Sequence, residues 1–128
     1  MKILVVDDSR TFHAYIREMF QETQVDLIPV YDGSEAVDLL MKQKKTDFNL
    51  ILLDWEMPVL SGIETLKILK QSKLQIPIIM VSTRNQHLHL AEAGSLGADE
   101  YVMKPFTQDI LFDKIKWVTG VDLPRGKF

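Results

Sequence analysis

The sequence predicts a doubly wound α/β domain: a five-stranded parallel sheet with helices on both faces. Two observations carry that prediction. Five short apolar runs recur along the chain, at Ile3–Val6, Val25–Val30, Leu50–Leu53, Ile76–Val81 and Tyr101–Met103, and a segment with helical spacing of its apolar residues follows each. The runs are near-continuous rather than alternating, as in strands covered on both faces. A third observation orders the strands. Pro29 stands inside the second run, and proline cannot donate to a ladder, so that strand belongs at a sheet edge. Pro77 falls at the start of its run, where proline is tolerated. The order 2-1-3-4-5 is therefore favoured over a sequential one. It places a topological switch between the first and third strands, where open α/β sheets bind ligands beyond the strands' carboxyl ends.

The helices follow in turn. Phe12, Ile16, Met19 and Phe20 form one stripe of the first, with His13 beside it and expected to be partly exposed. Ala36, Val37, Leu40 and Met41 do the same in the second, with Asp32-Gly33-Ser34 as turn and cap. The run Lys42-Gln43-Lys44-Lys45 reads as its solvated end, favourable against the helix dipole. Ile63, Leu66 and Leu69 mark the third helix. Leu88, Ala91 and Leu96 mark the fourth, around a break from Gly94 to Gly97. Ile110, Leu111, Ile115 and Val118 mark the fifth, with Thr107 as its cap. His87 and His89 lie two apart on a helix, share no face, and read as solvated rather than as a metal pair.

Composition bounds the function. The 128 residues suffice for one substantial core, and 46% apolar with 26% charged residues is ordinary for a soluble globular domain. A net charge of −3 gives no support for nucleic-acid binding. Without cysteine there is no disulfide, thiolate metal site or cysteine nucleophile. The opening apolar run is too short for a signal peptide, and no run approaches the ~20 residues that span a bilayer. A cytoplasmic domain without membrane contact is expected.

The decisive residues stand at the strand ends. The first strand closes on Asp7-Asp8 and the third on Asp54; Ser82 and Thr83 follow the fourth, and Lys104-Pro105 the fifth. One of the two neighbouring acids could serve as a helix cap. Three carboxylates at one sheet edge nevertheless repel, and protonation or a cation must relieve them. A hard divalent ion with oxygen ligands, such as Mg²⁺, does so.

Five stretches, ILVVDDSR, VYDGSEAV, LILLDWEMPVLSG, PIIMVST and GADEYVMKPF, stand in order and at the spacing of one family. Through them the chain resembles the receiver domains of two-component response regulators, from Met1 to about Gly120. The resemblance implies a single flavodoxin-like (βα)5 receiver domain over residues 1–120, with residues 121–128 a C-terminal tail or the start of a linker. It implies that Asp54 accepts a phosphoryl group from a phosphohistidine of a sensor histidine kinase or phosphotransfer protein. Asp8, Asp54 and the backbone carbonyl of Glu56 would hold Mg²⁺ or Mn²⁺, with Asp7 acting through water. Lys104, preceding a cis bond to Pro105, would pair with a phosphoryl oxygen, and Ser82 would donate its hydroxyl to another.

The same resemblance makes the chain a signalling domain rather than an enzyme, one that assists its own phosphorylation and autodephosphorylation. Movement of Ser82 would open or close space for Tyr101, altering the surface of the fourth helix, fifth strand and fifth helix that partners read. Those partners are a downstream protein or an output domain, and a phosphorylation-dependent dimer is compatible with the reading. Glu56 and Arg84 flank the phosphoryl position. Either they pair and lengthen the lifetime of the acyl phosphate, or they form an exposed pair without kinetic role; Glu56 reaching Lys104 is a further option. Thr83 adds bulk that narrows access for small phosphodonors. Trp55 is placed to report on the site by fluorescence, and Trp117 reads as packing or surface.

Rival readings are a receiver-like module that binds partners unphosphorylated, a phosphatase of haloacid-dehalogenase type, and a flavodoxin. In the phosphatase the acidic metal pair follows the nucleophile, whereas Asp7-Asp8 precede Asp54. A flavodoxin needs a phosphate loop after the first strand, where Asp7-Asp8 would repel a phosphate. The intact set of acceptor, acid pair, hydroxyl and lysine speaks against the unphosphorylated module.

Overall fold

The computed structural model describes residues 1–83 and 87–126, side chains of residues 87–89 excepted. Its strands are β1 (Lys2–Val6), β2 (Asp26–Val30), β3 (Leu50–Asp54), β4 (Ile78–Ser82) and β5 (Glu100–Met103). All pair in parallel, in the order β2-β1-β3-β4-β5. β2 is an edge, as Pro29 requires, and Pro29 lies opposite Val5. Every residue of β3 and β4 is buried, which is why LILLD and IIMVS show no polar alternation.

Between the strands run α1 (Arg10–Met19), α2 (Gly33–Val37, continued by a π-helical turn over Asp38–Lys42), α3 (Gly62–Gln71), α4 (His87–Ser95) and α5 (Gln108–Thr119). One core half sets Ile3, Val5, Leu52 and Val81 against Ile16, Met19, Leu111, Phe112 and Ile115 of α1 and α5. The other sets Leu4, Val6, Ile51, Leu53 and Met80 against Ala36, Leu40, Leu66, Leu69 and Ala93. Asp32 caps α2 by accepting from the Glu35 N–H, and Thr107 caps α5 by accepting from that of Ile110, as read from the sequence. Ser61 and Glu64 form a reciprocal capping box at the start of α3.

Several expectations are corrected. His13 is buried, at 3% exposure, rather than partly solvated. Ser9, not either neighbouring aspartate, caps α1 through the Phe12 N–H. Ile110 is 47% exposed, and Phe112 takes the inward place on α5. On α4 it is Ala93 that is buried, while Ala91 is exposed; two alanines offer too little apolar contrast to fix the rotation of a helix. The segment after α5 lies along the domain. Gly120 turns it in the left-handed region (φ 78°), Leu123 is buried in the core half shared with α1 and α5, and Arg125 grips Asp109 and Asp113 at 2.6 and 2.5 Å.

Candidate functional site

The carboxyl edge of the central strands carries three carboxylates. Asp7 ends just past β1, Asp8 follows it into solvent, and Asp54 closes β3; one oxygen of each lies within 4.8 Å of the others. Asp7 and Asp54 are almost fully covered, at 1% and 4% exposure. The backbone fixes them closely. The Asp7 N–H donates to Val30, and its carbonyl accepts from His13 Nε2 at 2.8 Å. A carbonyl can only accept, so Nε2 carries the proton. The Trp55 N–H donates to Val81 at 2.8 Å, and the Gly62 N–H returns to the Trp55 carbonyl at 2.9 Å. A Cβ on Gly62 would lie 2.0 Å from the Asp54 carbonyl oxygen, so only glycine lets α3 start this close to the end of β3.

Lys104 reaches into this edge from beyond β5. Its Nζ lies 2.7 Å from Asp7 Oδ2 and 3.3 Å from Asp54 Oδ1, over the Phe12 ring at 4.1 Å. Glu56 is therefore not the partner of this ammonium. The peptide bond to Pro105 is cis. Tyr15 Oη donates to the Phe106 carbonyl at 2.7 Å, and buried Gln108 donates to the Met19 carbonyl, so α1 holds the segment that carries the lysine.

Among the described residues charge is out of balance here, since the carboxylates of Asp7, Asp8 and Asp54 face the Lys104 ammonium. Burial, reinforced by the charge of Asp7 and more weakly of Glu56, pushes the Asp54 carboxyl up to about 7 against the pull of Lys104. Burial acts to lower the Lys104 ammonium, but its hydrogen bond to Asp7 and the charge of Asp54 outweigh that and hold it above the ordinary lysine range. Both oxygens of Asp7 are engaged, Oδ1 by the Ser9 N–H and Oδ2 by Lys104. Asp8 instead lines a cleft of about 450 Å³ together with Trp55, Glu56, Met57, Pro58 and Ser61. The donors are all hard oxygens, and they suit a divalent cation such as Mg²⁺ or Mn²⁺.

The remaining residues singled out from the sequence gather around the same edge. Ser82 is fully buried at the end of β4 and donates its hydroxyl to Glu56 Oε1 at 2.6 Å. Thr83 follows it, exposed. Tyr101 is half-buried, its ring edge-to-face with Trp55 at 6.2 Å between centroids. Trp117 is 81% exposed. Arg84, and with it the expected pairing with Glu56, lies outside the described residues, as do the side chains of His87 and His89. Sequence reasoning missed His13. Its spacing to Ile16 and Phe20, three and seven residues on, places it on the inward stripe and was a usable signal.

Comparison with known proteins agrees with this geometry. The sequence model of the response regulator receiver domain matches residues 3–116. A chemotaxis protein CheY homolog of Campylobacter jejuni is 35% identical over 98% of this chain and 98% of its own. Among solved structures, the receiver domain of the Francisella response regulator 1452 superposes with a TM-score of 0.84 at 32% identity, covering 93% of this chain and 96% of that one. The Mn²⁺-bound form of response regulator Rcp1 does so with a TM-score of 0.78 at 28% identity, covering 96% and 98%. Likeness that spans nearly the whole chain in both sequence and backbone makes this protein a member of the response regulator receiver domain family, the CheY-like receivers of two-component signalling.

Proposed function

We propose that the chain is a phosphorylation-switched receiver in which Asp54 accepts a phosphoryl group from a phosphohistidine of a sensor histidine kinase or phosphotransfer protein. The observation that carries this is the placement of Asp54. It is a nearly covered carboxylate at the end of a fully buried strand, beside two further acids and one lysine that reaches it from β5. Such a group is held rigidly, and Lys104, shared with Asp7, offsets only part of the negative charge that a cation would balance. An Asp54 Oδ attacks phosphorus, the phosphorus–nitrogen bond breaks, and the imidazole leaves with the bonding pair.

Asp8, Asp54 and the main-chain carbonyl of Glu56 would hold Mg²⁺ or Mn²⁺, with Asp7 acting through water because Ser9 and Lys104 already occupy its oxygens. The bound ion supplies positive charge that lets a phosphoryl dianion approach an acidic edge. Lys104 then exchanges Asp54 for a phosphoryl oxygen, and Ser82 donates to another. Tyr101, against Trp55, follows Ser82 and carries the change to the α4–β5–α5 surface. Thr83 would narrow entry for small phosphodonors, and Glu56 and Arg84, as flanking residues, would pair and shield the acyl phosphate. The receiver unit is residues 1–120. It acts as a signalling domain, through a protein partner or an output domain, without direct contact with nucleic acid. Among the described residues no helix is long and apolar enough to cross a membrane, and a cytoplasmic location belongs to the same reading.

The test is labelling by acetyl phosphate or a phosphorylated kinase, with and without Mg²⁺, of wild type and Asp54→Asn. Mg²⁺-dependent labelling of wild type alone is expected. Equal labelling of both proteins would overturn the assignment, and labelling of neither would favour an unphosphorylated interaction module.

A further inference from the structure

The one hydroxyl proton of Ser82 can be claimed by the Glu56 carboxylate and, once it is present, by a phosphoryl group on Asp54. The hydroxyl is fully buried, and in this structure its proton goes to Glu56 Oε1 at 2.6 Å. That distance is typical of a hydrogen bond to an ionised carboxylate, about twice as strong as a neutral one. The backbone at this point is pinned from both sides. The Lys104 N–H donates to the Ser82 carbonyl at 2.7 Å, and the Trp55 N–H donates to the preceding Val81 carbonyl at 2.8 Å. What remains adjustable at Ser82 is the side chain.

From this we infer that the Glu56 side chain is a latch, a positioning residue that holds the Ser82 hydroxyl in the resting state and must release it before the hydroxyl can serve a phosphoryl oxygen. The inference rests on the reading of Asp54 as phosphoacceptor and adds a role for Glu56 distinct from that of its main-chain carbonyl. A hydroxyl carries a single O–H, so donation to Glu56 and donation to a phosphoryl group exclude one another. A phosphoryl group at Asp54 brings roughly two negative charges to the neighbourhood of the Glu56 carboxylate. It therefore acts twice, as a competing acceptor for the hydroxyl and as a repelling charge on the group that held it. Resting-state bias and release thus come from one side chain, two residues beyond the acceptor.

The consequence is a measurable coupling between two residues on different strand ends. With beryllium fluoride plus Mg²⁺ as the phosphoryl mimic and Trp55 fluorescence as the readout, Glu56→Ala tightens binding by about tenfold to a hundredfold, the range set by hydrogen bonds to charged groups. Glu56→Gln, which keeps an acceptor but loses the charge, falls between. Removing a negative charge near an anion also tightens binding, so the deciding arm is the same substitution in a Ser82→Ala background. There the latch has nothing to hold, and the gain from Glu56→Ala shrinks to its electrostatic remainder. An equal gain in both backgrounds overturns the latch while leaving the acceptor reading intact. A wild type whose response to the mimic is unchanged by Asp54→Asn removes the acceptor reading, and the latch falls with it. A second readout needs no mimic. In the unliganded protein, Glu56→Ala moves the backbone amide signals of Ser82 and Met103 toward their positions in mimic-bound wild type, and failure of those signals to move argues against the latch.

Discussion

Replacing Asp54 with asparagine in the metal-free protein is expected to stabilise the fold, and the effect grows with pH. The carboxyl is pushed from 3.8 to about 7 by burial and by Asp7. Because the folded value is raised, both folded and unfolded chains are protonated below about pH 4 and nothing is lost there. As pH climbs from about 4 to about 7 the unfolded chain ionises while the folded one resists, so stability falls across that window and levels off above it. Each tenfold change in proton affinity is worth about 1.4 kcal/mol, so the full penalty is about 4 kcal/mol. Asparagine removes it while keeping an oxygen for Lys104, now 3.3 Å from Asp54 Oδ1. The weaker bond to a neutral acceptor returns part of the gain, leaving about 2–4 kcal/mol, or a Tm higher by roughly 8–16 °C for a domain of this size. The assay is thermal or urea unfolding in EDTA from pH 4 to 9, for both proteins. Wild type should then recover stability on addition of Mg²⁺, by about 2.7 kcal/mol at a hundredfold excess over Kd, and the variant by much less. A wild-type profile that is flat between pH 4 and 7, or a variant no more stable than wild type at pH 8 in EDTA, would refute the argument.

Two further substitutions test the supports of the site. Gly62→Ala forces a Cβ to within 2.0 Å of the Asp54 carbonyl and 2.7 Å of Trp55 Cα; the start of α3 must shift, at about 2–3 kcal/mol in urea unfolding, with the Trp55 fluorescence response to Mg²⁺ weakened in parallel. His13→Leu leaves the buried Asp7 carbonyl without its donor at 2.8 Å, a loss of about 1–3 kcal/mol together with lower Mg²⁺ affinity by titration; unchanged affinity would mean that the backbone alone holds the turn carrying Asp7 and Asp8.

The strands were legible because their surroundings leave a mark on composition. LILLD and IIMVS are covered on both faces and so lack alternation, and Pro29 marks the edge because a missing N–H has a definite place in a ladder. Asp7, Asp8, Asp54, Ser82 and Lys104 were legible as a set because a parallel sheet brings the ends of its strands to one edge. What stayed hidden depends on contacts between distant side chains. On α5 both Ile110 and Phe112 are apolar neighbours of Leu111, and only packing against α1 and the sheet selects Phe112. His13 is polar, so its place on the buried stripe shows only once the Asp7 carbonyl is seen to need a donor. The choice of Glu56 between Lys104 and Ser82 is likewise a matter of side-chain reach across strands β3, β4 and β5.

That choice changes how the energetics of switching are to be described. Both side-chain donors that would serve a phosphoryl group are already committed to carboxylates: Lys104 to Asp7 and Asp54, and Ser82 to Glu56. On the proposed function, phosphorylation would create no donors; it would exchange their acceptors. The free energy available to the switch is the difference between two sets of charge-assisted hydrogen bonds, and a difference of that kind is far smaller than either set. Weakening the resting set, at Glu56 or at Asp7, therefore biases the switch as effectively as strengthening the phosphorylated one. On that reading the acids around Asp54 would set how firmly the receiver rests, and the helices of the proposed signalling surface would follow.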